Sequence, residues 1–316
     1  MYRLLIAVKD FESRFPKAFR LLSDSGLFDL SSCPCLKELS SREQDDLLSS
    51  ADGVFWAADR LDAFLLDRMP KLKIVSKMGS GMDNIDLDGC RERGISVVNS
   101  RGKNTNAVAE MTLCLMLALL RQLLPLSRAA RKGDWNARIP GTELKGKTVG
   151  LIGFGMIARR VAELLSPFGV HICAYDPYMD ETAAKRLQVT AVSLHELLAV
   201  SDIVSVHIPA LPENEGMFCR DLFSRMKPGC LFVNCSRGSL VVEEDLFAAL
   251  RDGVLAGAAC DVFRQEPLSA GNPLFSLDPF IGTPHVAGMT AESMEEDSME
   301  IAQKLIAFFS GREVTT

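Results

Sequence analysis

One stretch, TVGLIGFGMIARRVAELLSPFGVHICAYDPY at residues 148–178, limits what this chain can fold into more than any other. The run Thr148–Ile152 reads as a buried strand that feeds directly into Gly153, Phe154, Gly155, Met156, Ile157 and Ala158. That is a G-x-G-x-x-A pattern opening a helix. Gly153 permits a tight turn, Gly155 lacks the Cβ that would block a pyrophosphate, and Ala158 is small enough for the helix to lie close on its strand. The N–H groups of Met156 and Ile157 open the helix and point toward phosphates. Asp176 ends the next strand, about 20 residues on, where a carboxylate accepts the hydroxyls of an adenosine ribose. It would repel a 2′-phosphate, and Pro177 and Tyr178 bring no cation to accommodate one. Strand, turn, helix, strand and acid in register predict a dinucleotide site for NAD rather than NADP, with flavin as the rival ligand.

The rest of the chain repeats the theme. Its 316 residues are enough for two domains of about 150. In the first hundred, Leu4–Val8, Gly53–Trp56, Ile74–Ser76 and Ser96–Val98 read as strands. Helical stretches lie around Lys17, around Glu43 and over Leu61–Leu66. After Lys147 further strands are expected at Val170–Tyr175, Ile203–His207, Leu231–Asn234 and Val254–Cys260, with helices between them. Such alternation predicts parallel sheets built from βα units. Residues 104–124 read as one long helix, apolar nearly all round and closed by Pro125. A helix of that kind must be buried, between domains or against another subunit, so an oligomer is expected. A last helix spans 291–309, with acidic residues in its first half.

Charge and composition exclude other classes. Lys and Arg number 35 against 41 Asp and Glu, a net charge of −6, which argues against nucleic acid as a partner. The longest apolar run, Leu113–Leu120, holds 8 residues, far short of the roughly 20 a membrane span requires. The N-terminus MYRLLIAVKD lacks the pattern of a signal peptide, so a cytoplasmic chain is expected. The nine cysteines are scattered and form no C-x-x-C pair. They read as reduced, buried small hydrophobes, with neither a disulfide framework nor a structural metal.

A second signature lies at 227–290. It comprises KPGCLFVNCSRGSLVVEEDLFAALRDGVLAGAACDVFRQEP, then NPLF, then TPHVAGMT. With VSKMGSGMDNID at 75–86, NTNAVAE at 104–110 and the fingerprint, it closely resembles the D-isomer-specific 2-hydroxyacid dehydrogenases. Within them it is most similar to the phosphoglycerate dehydrogenase and glyoxylate/hydroxypyruvate reductase branches. The resemblance covers nearly the whole chain. It implies two doubly wound α/β domains with an interdomain cleft: a Rossmann cofactor domain at 101–284, and a flavodoxin-like substrate domain made of 1–100 and 285–316. The homodimer expected for this chain rests instead on the apolar helix at 104–124, for which burial between domains is the equal alternative.

The resemblance places the family's catalytic positions on Arg237, Glu266 and His285. The arginine binds the substrate carboxylate and polarises the C2 carbonyl, the histidine donates a proton, and the glutamate orients and charges the histidine. Those residue types suit the chemistry on their own terms. A guanidinium matches a carboxylate bidentately, and a proton donor near neutral pH is best served by His. Taken singly, Arg237 reads as a surface arginine and Glu266 as a solvated turn residue before Pro267. Further cofactor contacts implied are His207, Ile208, Pro209, Cys235, Ser236, Asp261 beside the nicotinamide, and Gly288. The loop Lys77–Asp83 resembles the family's carboxylate-binding loop, with Lys77 in a place where many phosphoglycerate dehydrogenases have Arg, and with the N–H groups around Ser80 and Gly81 holding the anion. Asp83 and Asp86 read as caps of the following helix. The expected reaction is reversible reduction of a small 2-keto acid to a D-2-hydroxy acid with NADH. Two alternatives share the scaffold. One is formate or phosphite oxidation, although formate enzymes carry Gln where Glu266 stands; the other is an NAD(H)-sensing module like the corepressors of this fold. The chain stops one helix past His285, so the serine-binding regulatory domain of longer relatives is not expected.

Overall fold

The computed structural model describes residues 1–33, 40–57 and 59–314. Cys35 lies outside them. The chain divides into two compact units, one of Met1–Asn104 with Met289–Thr316, the other of Thr105–Gly288. The divisions fall four residues beyond each boundary expected from sequence. Asn104 stays with the first unit because its side chain meets Ser80, and His285–Gly288 stay with the second because Asp261 holds that loop.

The first unit is a five-stranded parallel sheet in the order β2-β1-β3-β4-β5. Its strands are β1 (Tyr2–Ala7), β2 (Phe28–Ser32), β3 (Gly53–Trp56), β4 (Ile74–Lys77) and β5 (Ser96–Asn99). β3 and β4 are buried at every position, so β3 reads as an unbroken apolar run rather than an alternating one, and β4 buries Ser76 and Lys77 along with Ile74 and Val75. Helices α1 (Phe11–Arg14), α2 (Pro16–Asp24), α3 (Ser41–Ser50), α4 (Ala63–Asp67) and α5 (Leu87–Glu92) connect them. Ser40 and Glu43 close a capping box on α3. Asp86 caps α5 by accepting the Gly89 N–H at 2.8 Å; Asp83 stands outside that cap. The register puts Trp56, Lys77 and Asn99 level at the carboxyl edge.

The second unit is a seven-stranded parallel sheet, β12-β11-β10-β9-β6-β7-β8. It opens with α6 (Thr105–Leu120) and α7 (Leu123–Arg131). Then come β6 (Thr148–Ile152), α8 (Met156–Leu165), β7 (His171–Tyr175), α9 (Glu181–Arg186), β8 (Thr190–Ala191), α10 (Leu194–Val200) and β9 (Ile203–Val206). α11 (Arg220–Ser224), β10 (Cys230–Asn234), α12 (Glu243–Arg251), β11 (Leu255–Cys260) and β12 (Phe280–Gly282) complete it. From β6 the chain first builds outward through β7 and β8, then returns to β6's other side with β9. That reversal is the doubly wound arrangement, and ligands bind at the carboxyl ends beside it.

The expected helix at 104–124 is two helices. The chain breaks at Gln122, whose φ of 52° is left-handed, and α6 and α7 meet at 66°. Pro125 does not end a helix; it sits in the first turn of α7, where its missing N–H is not needed. α6 buries Val108, Leu115, Met116 and Leu119 against α8, β10 and β11, each side chain contributing about 1.5–3 kcal/mol. Its outer face carries Glu110 and the exposed thiol of Cys114, so not every cysteine is buried. Cys33, Cys90, Cys173, Cys230, Cys235 and Cys260 are. No single helix among the described residues is long and apolar enough to cross a membrane, and no group of His, Cys, Asp or Glu among them is placed to hold a metal ion.

The last helix, α13 (Ala291–Phe309), is capped by Thr290 and belongs to the first unit, where it packs on α2, β4 and β5. Ile301, Ala302 and Leu305 anchor it, and a carboxylate, Asp297, is buried with them.

Candidate active site

The residues singled out in the second unit cluster at or beyond the carboxyl ends of its strands. At the end of β6, Gly153 has a φ of 90°, and a Cβ there would stand 2.6 Å from the His207 carbonyl oxygen. Only glycine allows the fingerprint turn to lie against the end of β9. Gly155 is the opposite case: a Cβ there would meet nothing within 4 Å. It caps α8 without a side-chain bond, so the N–H groups of Met156 and Ile157 face outward at the positive end of the helix. Ala158 is fully buried beneath them.

Asp176 is fixed from both sides. Its Oδ2 accepts the Phe154 N–H at 2.7 Å and its Oδ1 the Tyr178 N–H at 2.8 Å. Each oxygen keeps a lone pair for a hydroxyl. An open space over Gly155, an uncapped helix end and a held carboxylate at the end of β7 fit the pyrophosphate and ribose of a dinucleotide.

The far side of this pocket is tied together by Ser236. Its Oγ donates to the Ile208 carbonyl, joining the loops after β9 and β10. Pro209 accepts from Asn214 at 3.2 Å. His207 bonds Ser205 Oγ through Nε2 at 2.9 Å. Burial pulls its pKa down to about 4, so it is a neutral group at pH 7 and brings no charge to a phosphate. Cys235 is buried, and burial pushes its thiol up to about 12; it packs rather than reacts.

Arg237, Glu266 and His285 stand on three loops, those after β10, β11 and β12, and the first two are pressed together. Gly238, next to the arginine, has its Cα hydrogen against the Phe263–Arg264 backbone; a Cβ would run into the Phe263 carbonyl. The Phe263 N–H in turn donates to Glu266 Oε1 at 2.8 Å. Glu266 Oε2 lies 2.6 Å from His285 Nδ1. A carboxylate can only accept, so Nδ1 carries the hydrogen and Nε2 is left for another partner. The His285 side chain is 52% exposed. Arg237 bonds the Ser236 carbonyl at 2.8 Å.

His285 itself is held in a left-handed conformation, φ 55°. The agent is Asp261, at the end of β11 and 1% exposed. Its Oδ1 accepts Thr283 Oγ1 at 2.5 Å and the Val286 N–H at 2.9 Å, its Oδ2 the Ala287 N–H at 2.7 Å, and its carbonyl the His285 N–H at 2.7 Å. The sequence suggested a nicotinamide contact for Asp261; here its carboxylate is engaged by the histidine loop. Gly288 closes that loop.

Two organisers went unnoticed in the sequence. Asn234, fully buried at the end of β10, donates to the Arg237 carbonyl at 2.9 Å and accepts the Ser236 N–H at 2.9 Å. Thr283 is the other. Asn after a strand and before Cys-Ser-Arg is a turn signal that could have exposed the first.

The first unit holds the loop Lys77–Asp83. Gly79 N–H donates to Ser100 Oγ at 2.8 Å, Asn99 Nδ2 donates to the Ser80 carbonyl at 2.8 Å, and Ser80 Oγ lies 3.2 Å from Asn104 Oδ1. Among the described residues, neither the Ser80 nor the Gly81 N–H donates within the fold, as an anion nest requires. Lys77 is 9% exposed, and its ammonium donates to the Met78 carbonyl at 2.6 Å.

Comparison with known proteins agrees with this geometry. Residues 113–287 match the sequence model of the D-isomer specific 2-hydroxyacid dehydrogenase NAD binding domain. The chain is 39% identical over 256 residues to a D-3-phosphoglycerate dehydrogenase of Mycobacterium leprae, an alignment covering 81% of this chain and 48% of that protein. It is 35% identical over 310 residues to a glyoxylate reductase of Aeropyrum pernix, covering 94% and 91%. The crystal structure of a D-lactate dehydrogenase from Aquifex aeolicus, complexed with NAD and lactic acid, superposes with a TM-score of 0.86 at 29% identity over 98% of this chain and 96% of that one. The chain spans about half the length of the phosphoglycerate dehydrogenases it matches.

Proposed function

The chain belongs to the D-isomer-specific 2-hydroxyacid dehydrogenase family, and from that premise we propose that it transfers a hydride between NADH and the C2 carbonyl of a small 2-keto acid, giving a D-2-hydroxy acid. The substrate would be of the glyoxylate, hydroxypyruvate or 3-phosphohydroxypyruvate type. One observation carries the reading: a histidine held at 2.6 Å by a carboxylate whose own loop is pressed against the one that bears an arginine. A corepressor-like sensor has no need of that arrangement, and the carboxylate of Glu266 separates the site from the glutamine pattern of formate enzymes.

NADH, when bound along β6 and β7, supplies the hydride. Met156 and Ile157 hold the pyrophosphate with backbone N–H groups, and Asp176 holds the ribose. Arg237 grips the substrate's carboxylate and polarises its carbonyl. His285 Nε2 delivers the proton to the carbonyl oxygen, while Glu266 keeps Nδ1 occupied and the ring oriented. In the first unit, the N–H groups of Ser80 and Gly81, free among the described residues and with the charge of Lys77 nearby, suit a carboxylate.

The test is NADH oxidation against glyoxylate, hydroxypyruvate, 3-phosphohydroxypyruvate and pyruvate, repeated with NADPH. We expect turnover with at least one keto acid, and a kcat/KM for NADPH lower by about 100-fold, about 2.7 kcal/mol for a phosphate set against a carboxylate. NADH binding with no turnover of any compound would favour the sensor reading.

The reading extends to a cytoplasmic homodimer. The described cysteines are all free thiols, as suits a reducing compartment. α7 buries none of its residues, yet carries the exposed Leu123 and Leu124, and the following segment presents Trp135 at 80% exposure and Ile139. A second copy covering this face would remove about that patch from water. Light scattering should give twice the 34.6 kDa of the chain, and Trp135→Asp should weaken the dimer; a wild-type monomer at micromolar concentration would refute it.

A further inference from the structure

The C-terminal helix carries a buried carboxylate for which the proposed reaction has no use. Asp297 on α13 is 5% exposed, and among the described residues its Oδ1 has no hydrogen-bond partner. Its carboxyl lies beside Ser100, the residue after β5, whose hydroxyl favours the charged form. Ser100 Oγ also accepts the Gly79 N–H at 2.8 Å, and a hydroxyl oxygen that accepts a backbone N–H still has its own hydrogen to give a carboxylate. A line of polar groups therefore runs from α13 into the first residue of the 79–81 loop. Lys77 lies beside that line, its ammonium 3.7 Å from where a Cβ on Gly79 would stand, and its charge acts on Asp297. A second tie runs parallel: Lys304 Nζ donates to the Asn99 carbonyl at 2.7 Å, and Asn99 donates to Ser80.

We propose that Asp297 is a positioning residue for the 79–81 loop, and that its charge, set against that of Lys77, couples the binding of an anion on the loop to the uptake of a proton. The proposal rests on the reading of that loop as a holder of the substrate carboxylate.

The surrounding charges can be named. α13 itself brings Glu296, Glu300 and Lys304, the last 3.0 Å from Glu300. β4 brings Lys77, the segment after β5 brings Lys103 at 3.9 Å from Glu300, and α2 brings Lys17, paired with Glu295. β5 contributes no charged side chain. Burial raises the Asp297 carboxyl to about 6; the Ser100 hydroxyl and Lys77 pull it back, while Glu300 and Glu296 push it up. At pH 7.5 it is ionised and offsets Lys77. Below about 6 it is neutral, and Lys77 then acts on the loop with its full charge. An arriving anion favours the neutral form of Asp297, so anion affinity rises as pH falls through that range.

The two arms of the test use different variants and probes. Asp297→Asn keeps an acceptor for Ser100 but removes the charge. With glyoxylate and hydroxypyruvate as probes, KM at pH 7.5 should fall about threefold, which is half a pH unit of coupling. The rise in KM between pH 5.5 and 7.5 should flatten by the same factor relative to wild type, with kcat within about twofold. Protonation of His285 is common to both proteins and cancels in that comparison. Asp297→Ala removes the acceptor, and hydrogen exchange at the Gly79 amide should accelerate about threefold or more, while Asp297→Asn stays near wild type. A KM profile of Asp297→Asn parallel to wild type overturns the coupling, and unchanged Gly79 exchange in Asp297→Ala overturns the positioning role. If the wild type turns over neither keto acid, it is the proposed activity that has failed; the exchange arm needs no substrate and still decides the role of Asp297.

Discussion

His285→Ala is expected to lower kcat by about 1,000-fold while the Kd for NADH stays within about twofold of wild type. Removing a positioned general acid typically costs between 100- and 10,000-fold. The cost here should fall in the middle, because Arg237 remains to polarise the carbonyl and water can supply the proton slowly. The cofactor should be unaffected because the contacts proposed for it at the ends of β6 and β7 do not involve the imidazole, and the His285 loop takes its shape from the backbone bonds to Asp261. Arg237→Ala should lose a similar factor, divided between KM and kcat since the arginine touches substrate before and during reaction. Stopped-flow binding of NADH alongside steady-state turnover makes the distinction. Wild-type turnover in either variant would sink the assignment of roles.

Gly238→Ala is expected to be nearly as damaging through space alone. The residue needs no unusual φ, so the alanine has no backbone objection to the site; the obstacle is the Phe263 carbonyl, into which the new methyl would project. Backbone on both sides cannot step aside as a side-chain tip can. The loops of Arg237 and Glu266 must part, at about 1–3 kcal/mol or more, and the arginine and histidine lose their mutual placement. A displacement near 1 Å costs about 100-fold in rate. We expect a loss of several degrees in Tm and a fall in kcat/KM of at least about that size, read by thermal unfolding and initial rates. An alanine variant with unchanged kcat/KM would show that the two loops need not touch.

How much of this was legible beforehand depended on the range of the chemistry. The fingerprint is local: turn, helix start and acid stand within one βαβ unit, and the physical demands on Gly153, Gly155 and Ala158 can be read from neighbours alone. Arg237, Glu266 and His285 were legible only through the order of several motifs, because singly each resembles an ordinary surface residue. The role of Asp261 was not legible. Nothing in the sequence announces a carboxylate engaged by the hydroxyl and N–H groups of a loop 22 to 26 residues away. Elements failed for similar reasons. β2 (FDLSS) is an edge strand with only Phe28 buried, too polar to announce itself, and β12 has just three residues. The break at Gln122 interrupts a run whose apolar pattern continues on both sides, so periodicity had no means of seeing it. Lys77 was assigned by charge; its bond to the Met78 carbonyl was beyond what the sequence could show.

The clamp on His285 has a consequence for anyone reshaping this protein. Asp261 works as a bracket bolted to the seven-stranded sheet, with the His285 ring mounted on it at a fixed angle. Loops elsewhere on the sheet can be lengthened, shortened or exchanged without moving that ring. Conversely, the histidine with its carboxylate neighbour is not a portable part. Transplanted to another scaffold without an equivalent of Asp261, the same two side chains would lack the left-handed backbone that aims one at the other, because a histidine held at that φ is strained by about 1–3 kcal/mol and would relax away.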